Sequence, residues 1–233
     1  MLHPLSTVVI YSLVFGVLFA AEAPIGSPSN INSFPLYLLI AVLVWGHFAL
    51  VALLGLNSIT GNSGLIRRVS FPREALVFSN SLHALVQFGI ELALLTVILL
   101  IAGGQPLIWL PLTVVMALLL CIFATGIGLM LAALSVYFKD LSHLWTVIIQ
   151  AWFFLTPIVY PPQYVEERAP TAIQNIIEYN PMSGFVAIFR HTMYDGGQVP
   201  ITLFIRCLVT AVISLVIGWS LFLRLSKRFA EEV

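Results

Sequence analysis

The chain has 233 residues, of which 60% are hydrophobic and only 9% charged, with a formal net charge of +0 and a mean hydropathy of +1.04. A soluble globular chain carries about 25% charged residues, and a water-soluble body of this size could not hide so much apolar surface. Neutrality removes the case for nucleic acid or an acidic substrate as partner, so the composition points to a protein solvated by a bilayer.

Six apolar runs approach or exceed the length of about 20 residues that a helix needs to cross the hydrocarbon: Leu5–Ala21, Pro35–Leu56, Leu76–Ala102, Ile108–Val136, Leu144–Tyr160 and Ile201–Leu223. Their continuity excludes the alternation of a barrel strand. The expected fold is therefore all-α, a polytopic membrane protein of six transmembrane helices forming a single domain over residues 1–233. The first run resembles a signal peptide in its Ala20-Ala21-Glu22-Ala23 end, but Met1-Leu2-His3-Pro4 lacks a basic leader, so it is read as a span. The third and fourth runs are long enough to tilt or to extend beyond the bilayer.

Lys and Arg set the orientation. One set of loops holds Arg67, Arg68, Arg73, Lys139, Arg224, Lys227 and Arg228, and the other holds Arg168 and Arg190. Both termini are thus expected in the cytoplasm. Two segments exceed mere connectors. Residues 57–74 form a cytoplasmic loop mixing Gly and Ser with Arg67, Arg68 and Arg73. Residues 161–200 form an outer segment whose Ile173–Ile177 and Phe185–Phe189 stretches suit short re-entrant helices, with Pro170 and Pro181 at their starts.

Catalytic patterns are missing. There is no GxxxxGK[ST], HExxH or GxSxG motif. The five histidines are dispersed, and Cys121 and Cys207 sit within apolar runs as small hydrophobes. No metal site or cofactor is expected in the chain, and it is not read as an enzyme. Glu91 stands out in mid-span, where an ionised carboxylate costs about 2.5 kcal/mol or more. Lining a translocation path and being held neutral by hydrogen bonds are evenly matched readings of it. Gln87 and His83 share its helix face, which is expected to turn inward. Ala124, Gly126, Gly128, Ala132 and Ala133 favour close helix packing, within the chain in preference to a dimer seam. Trp152, Phe153, Phe154 and Tyr160 read as an aromatic belt, with a minor reading as rings facing a sugar-conducting pore.

Three blocks then carry a resemblance: GLIRRVSFPRE (Gly64 to Glu74), VYFKDLSHLWTVIIQAWFFLTPIVYPPQYV (Val136 to Val165) and IEYNPMSGFVAIFRHTMYDG (Ile177 to Gly196). In order and spacing they resemble the ABC-2 type export permeases, in particular the branch that exports O-antigen, capsule and teichoic acid polymers. The resemblance implies a homodimer in the bacterial cytoplasmic (inner) membrane, working with two copies of a separate ATP-binding subunit that carries ATP and Mg, on a lipid-linked glycan. It implies that the 57–74 loop docks on that ATPase, with Arg67, Arg68, Phe71, Pro72, Arg73 and Glu74 as contacts; anchoring of Arg67 and Arg68 to anionic lipid is the competing reading. It matches the outer segment, with Asn180, Pro181 and Arg190, to re-entrant gate helices that cap the pore, and Lys139 and Asp140 to a second cytoplasmic turn; Glu91, Trp152, Phe153, Phe154 and Tyr160 join the candidates for the path or gate on the residue readings above. The family pattern has an interfacial helix before the first span, and here Pro4 stands where that stretch should end. An ABC-2 permease for a drug or small lipid, an ion-coupled carrier using Glu91, and a scaffold without transport are the alternative readings.

Overall fold

The computed structural model describes residues 24–68 and 71–226, together with Ile10, Leu13 and Phe229; the side chains of residues 66, 67 and 166–168 are outside the description. The first expected span, Leu5–Ala21, therefore lies almost wholly outside the described residues. Among the described residues there are helices and no strands. We label the α-helices α1 (Phe34–Ser58), α2 (Ser63–Arg68), α3 (Glu74–Ile101), α4 (Pro106–Tyr137), α5 (Leu141–Phe154), α6 (Pro162–Arg168), α7 (Thr171–Tyr179), α8 (Pro181–Phe189) and α9 (Ile201–Ser226). A π-helical turn, Arg190–Asp195, continues α8.

Four helices, α1, α3, α4 and α9, are long and apolar enough to cross a membrane, with 25 to 32 residues each. At 1.5 Å per residue they reach about 38–48 Å, more than the ~30 Å of hydrocarbon. They match the expected runs to within three residues at each end. α1 is buried along most of its length, whereas α3, α4 and α9 leave much of their apolar surface open. Leu82, Val86, Ile90, Leu94, Val97 and Ile101 form an exposed stripe along α3, and Leu208, Val212, Val216, Trp219 and Leu223 one along α9. Such faces are stable against lipid or another apolar surface and not against water.

The expected span Leu144–Tyr160 is shorter in the structure. α5 has 14 residues and ends at Phe154, about 21 Å of helix and too little to cross alone. The cause is local: Pro157 cannot donate to residue 153, and it pushes Thr156 out of the helical region. Residues 155–160 stay apolar, but their backbone turns away from the helix.

The chain divides into two compact units. The first comprises the described parts of Met1–Gly46, Phe88–Ala117 and Ala151–Cys207. Within it α3 reverses into α4 through Gly103, whose φ of 87° is left-handed. Gly104 N–H bonds Leu99 O at 2.9 Å and Gly103 N–H bonds Leu100 O at 3.1 Å, the paired helix-ending bonds that favour glycine; Pro106 then opens α4. Trp109 Nε1 donates to Gly196 O at 2.8 Å, fixing the end of the π-turn. α7 follows Pro170 and α8 begins at Pro181, as the two prolines suggested.

The second unit comprises the described parts of His47–Gln87, Leu118–Gln150 and Leu208–Val233. Its helices meet at glycines. A Cβ on Gly55 would lie 2.5 Å from Gly128 Cα, and one on Gly126 or Gly218 would collide with the backbone of the facing helix. The small residues of α4 thus pack α1 and α9 within one chain, and Ser214 Oγ donates to Phe123 O across the same seam at 2.9 Å. A buried cluster of Ile59, Val77, Leu129, Ala132, Ala133, Val136, Phe222 and Phe229 fills one part of this unit.

Candidate functional site

The non-helical stretch after Phe154 exposes backbone carbonyls that an apolar setting cannot leave bare. Two side chains from the opposite end of the segment capture them. Asn180 Nδ2 donates to Leu155 O at 3.1 Å and to Thr156 Oγ1 at 2.9 Å, while its Oδ1 accepts from Trp152 Nε1 at 2.8 Å and from Met182 N–H at 3.0 Å. Both donors and both lone pairs of the amide are engaged, and the last bond also caps the start of α8.

Arg190 does the rest. It is only 5% exposed; Nη1 donates to Pro157 O at 2.7 Å and Nη2 to Ile158 O at 2.8 Å. Its guanidinium carbon lies 3.6 Å above the centre of the Tyr37 ring in α1. Burial pulls its pKa down to about 10, with Tyr37 and Asp195 opposing, so it stays charged at neutral pH. Two charge-assisted bonds and a desolvated cation–π contact compensate the buried charge.

The aromatic residues close the same cluster. Trp45 packs edge-on against Trp152 and Phe153, with ring centres 6.4 and 5.6 Å apart; Phe153 meets Phe154 at 5.4 Å. Tyr160 O–H donates to Phe154 O at 2.8 Å. Trp152, Phe153, Phe154, Tyr160, Asn180, Pro181 and Arg190 are therefore assembled around one break in the backbone. Tyr37, Pro157 and Ile158 complete it without having been singled out in the sequence; a lone tyrosine in an aliphatic run was the available signal for Tyr37.

A cleft of about 400 Å³ opens in this unit, lined among others by Gln163, Gln174, Glu178, Ser183, Arg190, Asp195 and Arg206. His191 Nδ1 and Asp195 Oδ2 lie 3.1 Å apart, and Arg206 Nη1 donates to Glu178 O at 2.9 Å. Donors and acceptors both line it, with Arg190 and Arg206 set against Glu178 and Asp195. Such a lining hydrogen-bonds in both directions. No group of three or more His, Cys, Asp or Glu suited to a metal occurs among the described residues.

Glu91 is half-buried in α3, as is Gln87, while His83 is exposed. The inward face expected for these three is corrected by the buried stripe, Val77, Ala84, Phe88, Leu92, Leu95 and Leu99. The polar residues lie on its flank, because adjacent helix positions are turned by about 100°.

In the second unit the basic loop is built on α2, with Arg68 exposed and the Arg67 side chain outside the described residues. Phe71 and Glu74 are half-buried and Pro72 is exposed. Arg73 does not simply face solvent. Its Nη1 donates to Ser226 O at the end of α9, and the guanidinium carbon lies 5.7 Å above the Phe229 ring. Lys139 and Asp140 are exposed in the turn between α4 and α5.

Residues 2–194 match the sequence pattern described as ABC-2 type transporter. Among relatives, the O-antigen export system permease protein RfbA of Klebsiella pneumoniae is 26% identical over 230 residues, covering 98% of this chain and 84% of its own length. The O-antigen export system permease protein RfbA of Myxococcus xanthus is 27% identical over 240 residues, covering 100% of this chain and 85% of its own.

Proposed function

Since the chain belongs to the ABC-2 type transporter family, a family of membrane permeases and not of enzymes, we propose that it moves a lipid-linked polysaccharide or polyol-phosphate polymer out across the bacterial cytoplasmic membrane. The observation that carries this reading is the near end-to-end similarity to two permeases named for O-antigen export. On this reading two copies enclose the conduit, and two copies of an ATP-binding-cassette ATPase bind ATP and Mg and drive it. The chain is one domain of six spans, with both termini cytoplasmic. Leu5–Ala21 supplies the first span, and α5 with its non-helical extension supplies the fifth.

The geometry supports the assignment at two places. Backbone broken within an apolar setting is tolerated only where protein covers it or a cavity is lined, and the Asn180–Arg190 clasp beside a polar cleft is such a place. It is the outer gate, with α7 and α8 as its re-entrant helices. A cleft that both donates and accepts hydrogen bonds, without net charge, suits hydroxyl-rich sugar better than a simple anion or an apolar drug. The 57–74 loop, with Arg67 and Arg68 on or beside α2, is the surface that meets the ATPase.

The test is deletion of the gene with complementation. Loss of surface polymer, with lipid-linked polymer accumulating inside the cell and both reversed by the restored gene, is expected. Unchanged surface polymer in the deletion strain contradicts the reading, and export of a small lipid or drug alone favours the other branch of the family.

A further inference from the structure

Both ends of the 57–74 loop are anchored in the same apolar cluster. At its start Ile59 is fully buried against the cluster that also holds Val77, Val136, Phe222 and Phe229. At its end Arg73 immediately precedes α3 and reaches across to the C-terminus of α9, donating to Ser226 O and covering the Phe229 ring. The last carbonyls of a helix have no partner within it and carry its partial negative charge, so a guanidinium is well matched to that position. Tyr137, the last residue of α4, caps the neighbouring carbonyl: its O–H donates to Leu225 O at 2.9 Å. Phe229 is fully buried, with Phe222 at 5.6 Å and Tyr137 at 6.3 Å between ring centres. The start of α3 and the ends of α4 and α9 thus converge on one polar knot under an aromatic lid.

We propose that Arg73 is a transmission residue that ties the motor-facing loop to the last span, and that it is not an ATPase contact. This rests on the reading of residues 57–74 as the loop that meets the ATPase. A displacement of the loop moves Arg73; Arg73 moves the end of α9, and Tyr137 carries the end of α4 with it. Arg68 is exposed on α2 and suits docking, whereas Arg73 bonds Ser226 O and covers the Phe229 ring within the chain.

The test uses the complete permease–ATPase complex in membranes and compares Arg73→Ala with Arg73→Lys. The readouts are ATPase recovered on tagged permease, ATP hydrolysed, and polymer reaching the surface. Arg73→Ala should recover ATPase within twofold of the parent and keep hydrolysing ATP, while surface polymer falls at least tenfold. Arg73→Lys, which keeps a cationic donor above the ring, should restore at least half of the export. Recovery and export falling together in Arg73→Ala, or export left intact, overturns the proposal. If Arg73→Ala does not accumulate in membranes, Phe229→Leu removes the ring while keeping apolar volume, and the same split between capture and export decides. A parent permease that captures no ATPase refutes the exporter reading itself, and this proposal with it, so the two failures are told apart by the unsubstituted protein.

Discussion

Replacing Arg190 with alanine removes two donors from buried carbonyls beside the cleft. Pro157 and Ile158 are both buried, and their oxygens accept from Arg190 at 2.7 and 2.8 Å. A buried acceptor left without a partner costs about 1–3 kcal/mol, so stranding two costs about 2–6 kcal/mol. Loss of the contact over Tyr37 adds about 2 kcal/mol. Relief of the arginine's own burial offsets part of this, because the buried cation is disfavoured to begin with. The net expectation is about 3–5 kcal/mol, and Arg190→Lys, able to serve one carbonyl well, should fall between. The assay is thermal unfolding of the purified permease in lipid nanodiscs, followed by tryptophan fluorescence. Each kcal/mol moves the midpoint by roughly 2–4 °C in a chain of this size, so a drop of roughly 6–20 °C is expected. A midpoint within 1 °C of the parent would refute the clasp.

Other substitutions probe separate parts of the account. Trp152→Phe deletes the 2.8 Å bond to Asn180 Oδ1 and shrinks the indole to a phenyl, so it should cost at least about 1 kcal/mol in the same unfolding assay. Gly218→Val forces a side chain into the Gly126 backbone and should abolish membrane accumulation in immunoblots, since overpacking of this kind costs about 1–3 kcal/mol or more. Glu91→Gln keeps hydrogen bonding and removes the carboxyl; surface polymer within twofold of the parent is expected, whereas an ion-coupled carrier needs that carboxyl and would lose export. Arg68→Glu, on the exposed end of α2, should lower ATPase capture several-fold.

The four long spans were legible because hydropathy reports what lipid requires, and Pro106, Pro170, Pro181 and Gly103 punctuate the chain at or beside element ends. The extent of α5 was not, although Pro157 stood in plain view. Residues 155–160 are as apolar as the helix before them, so a count of hydrophobic residues runs straight through the break. The seven residues expected along the path from Trp152 to Arg190 do meet, but the reason they meet is long-range. A guanidinium pairing with carbonyls 32 and 33 residues away leaves no periodicity behind it. Glu91 shows the same limit in another form: a face three positions long was read as inward, and the stripe of Ala84, Phe88 and Leu92 beside it is the buried one. Arg73 was legible as one of three cations on a loop. Its partner, a carbonyl at the end of α9, was not.

In the proposed function this permease, driven by a separate ATPase, moves a lipid-linked glycan across the bilayer. The most direct measurement reconstitutes both subunits in vesicles with fluorescent lipid-linked polymer confined to the ATPase side. On adding ATP and Mg, the polymer should become accessible to a glycan-cleaving enzyme on the opposite side, at a rate abolished by omitting either subunit. Polymer that stays inaccessible with both subunits and ATP present, or that crosses equally well without the ATPase, would contradict the account.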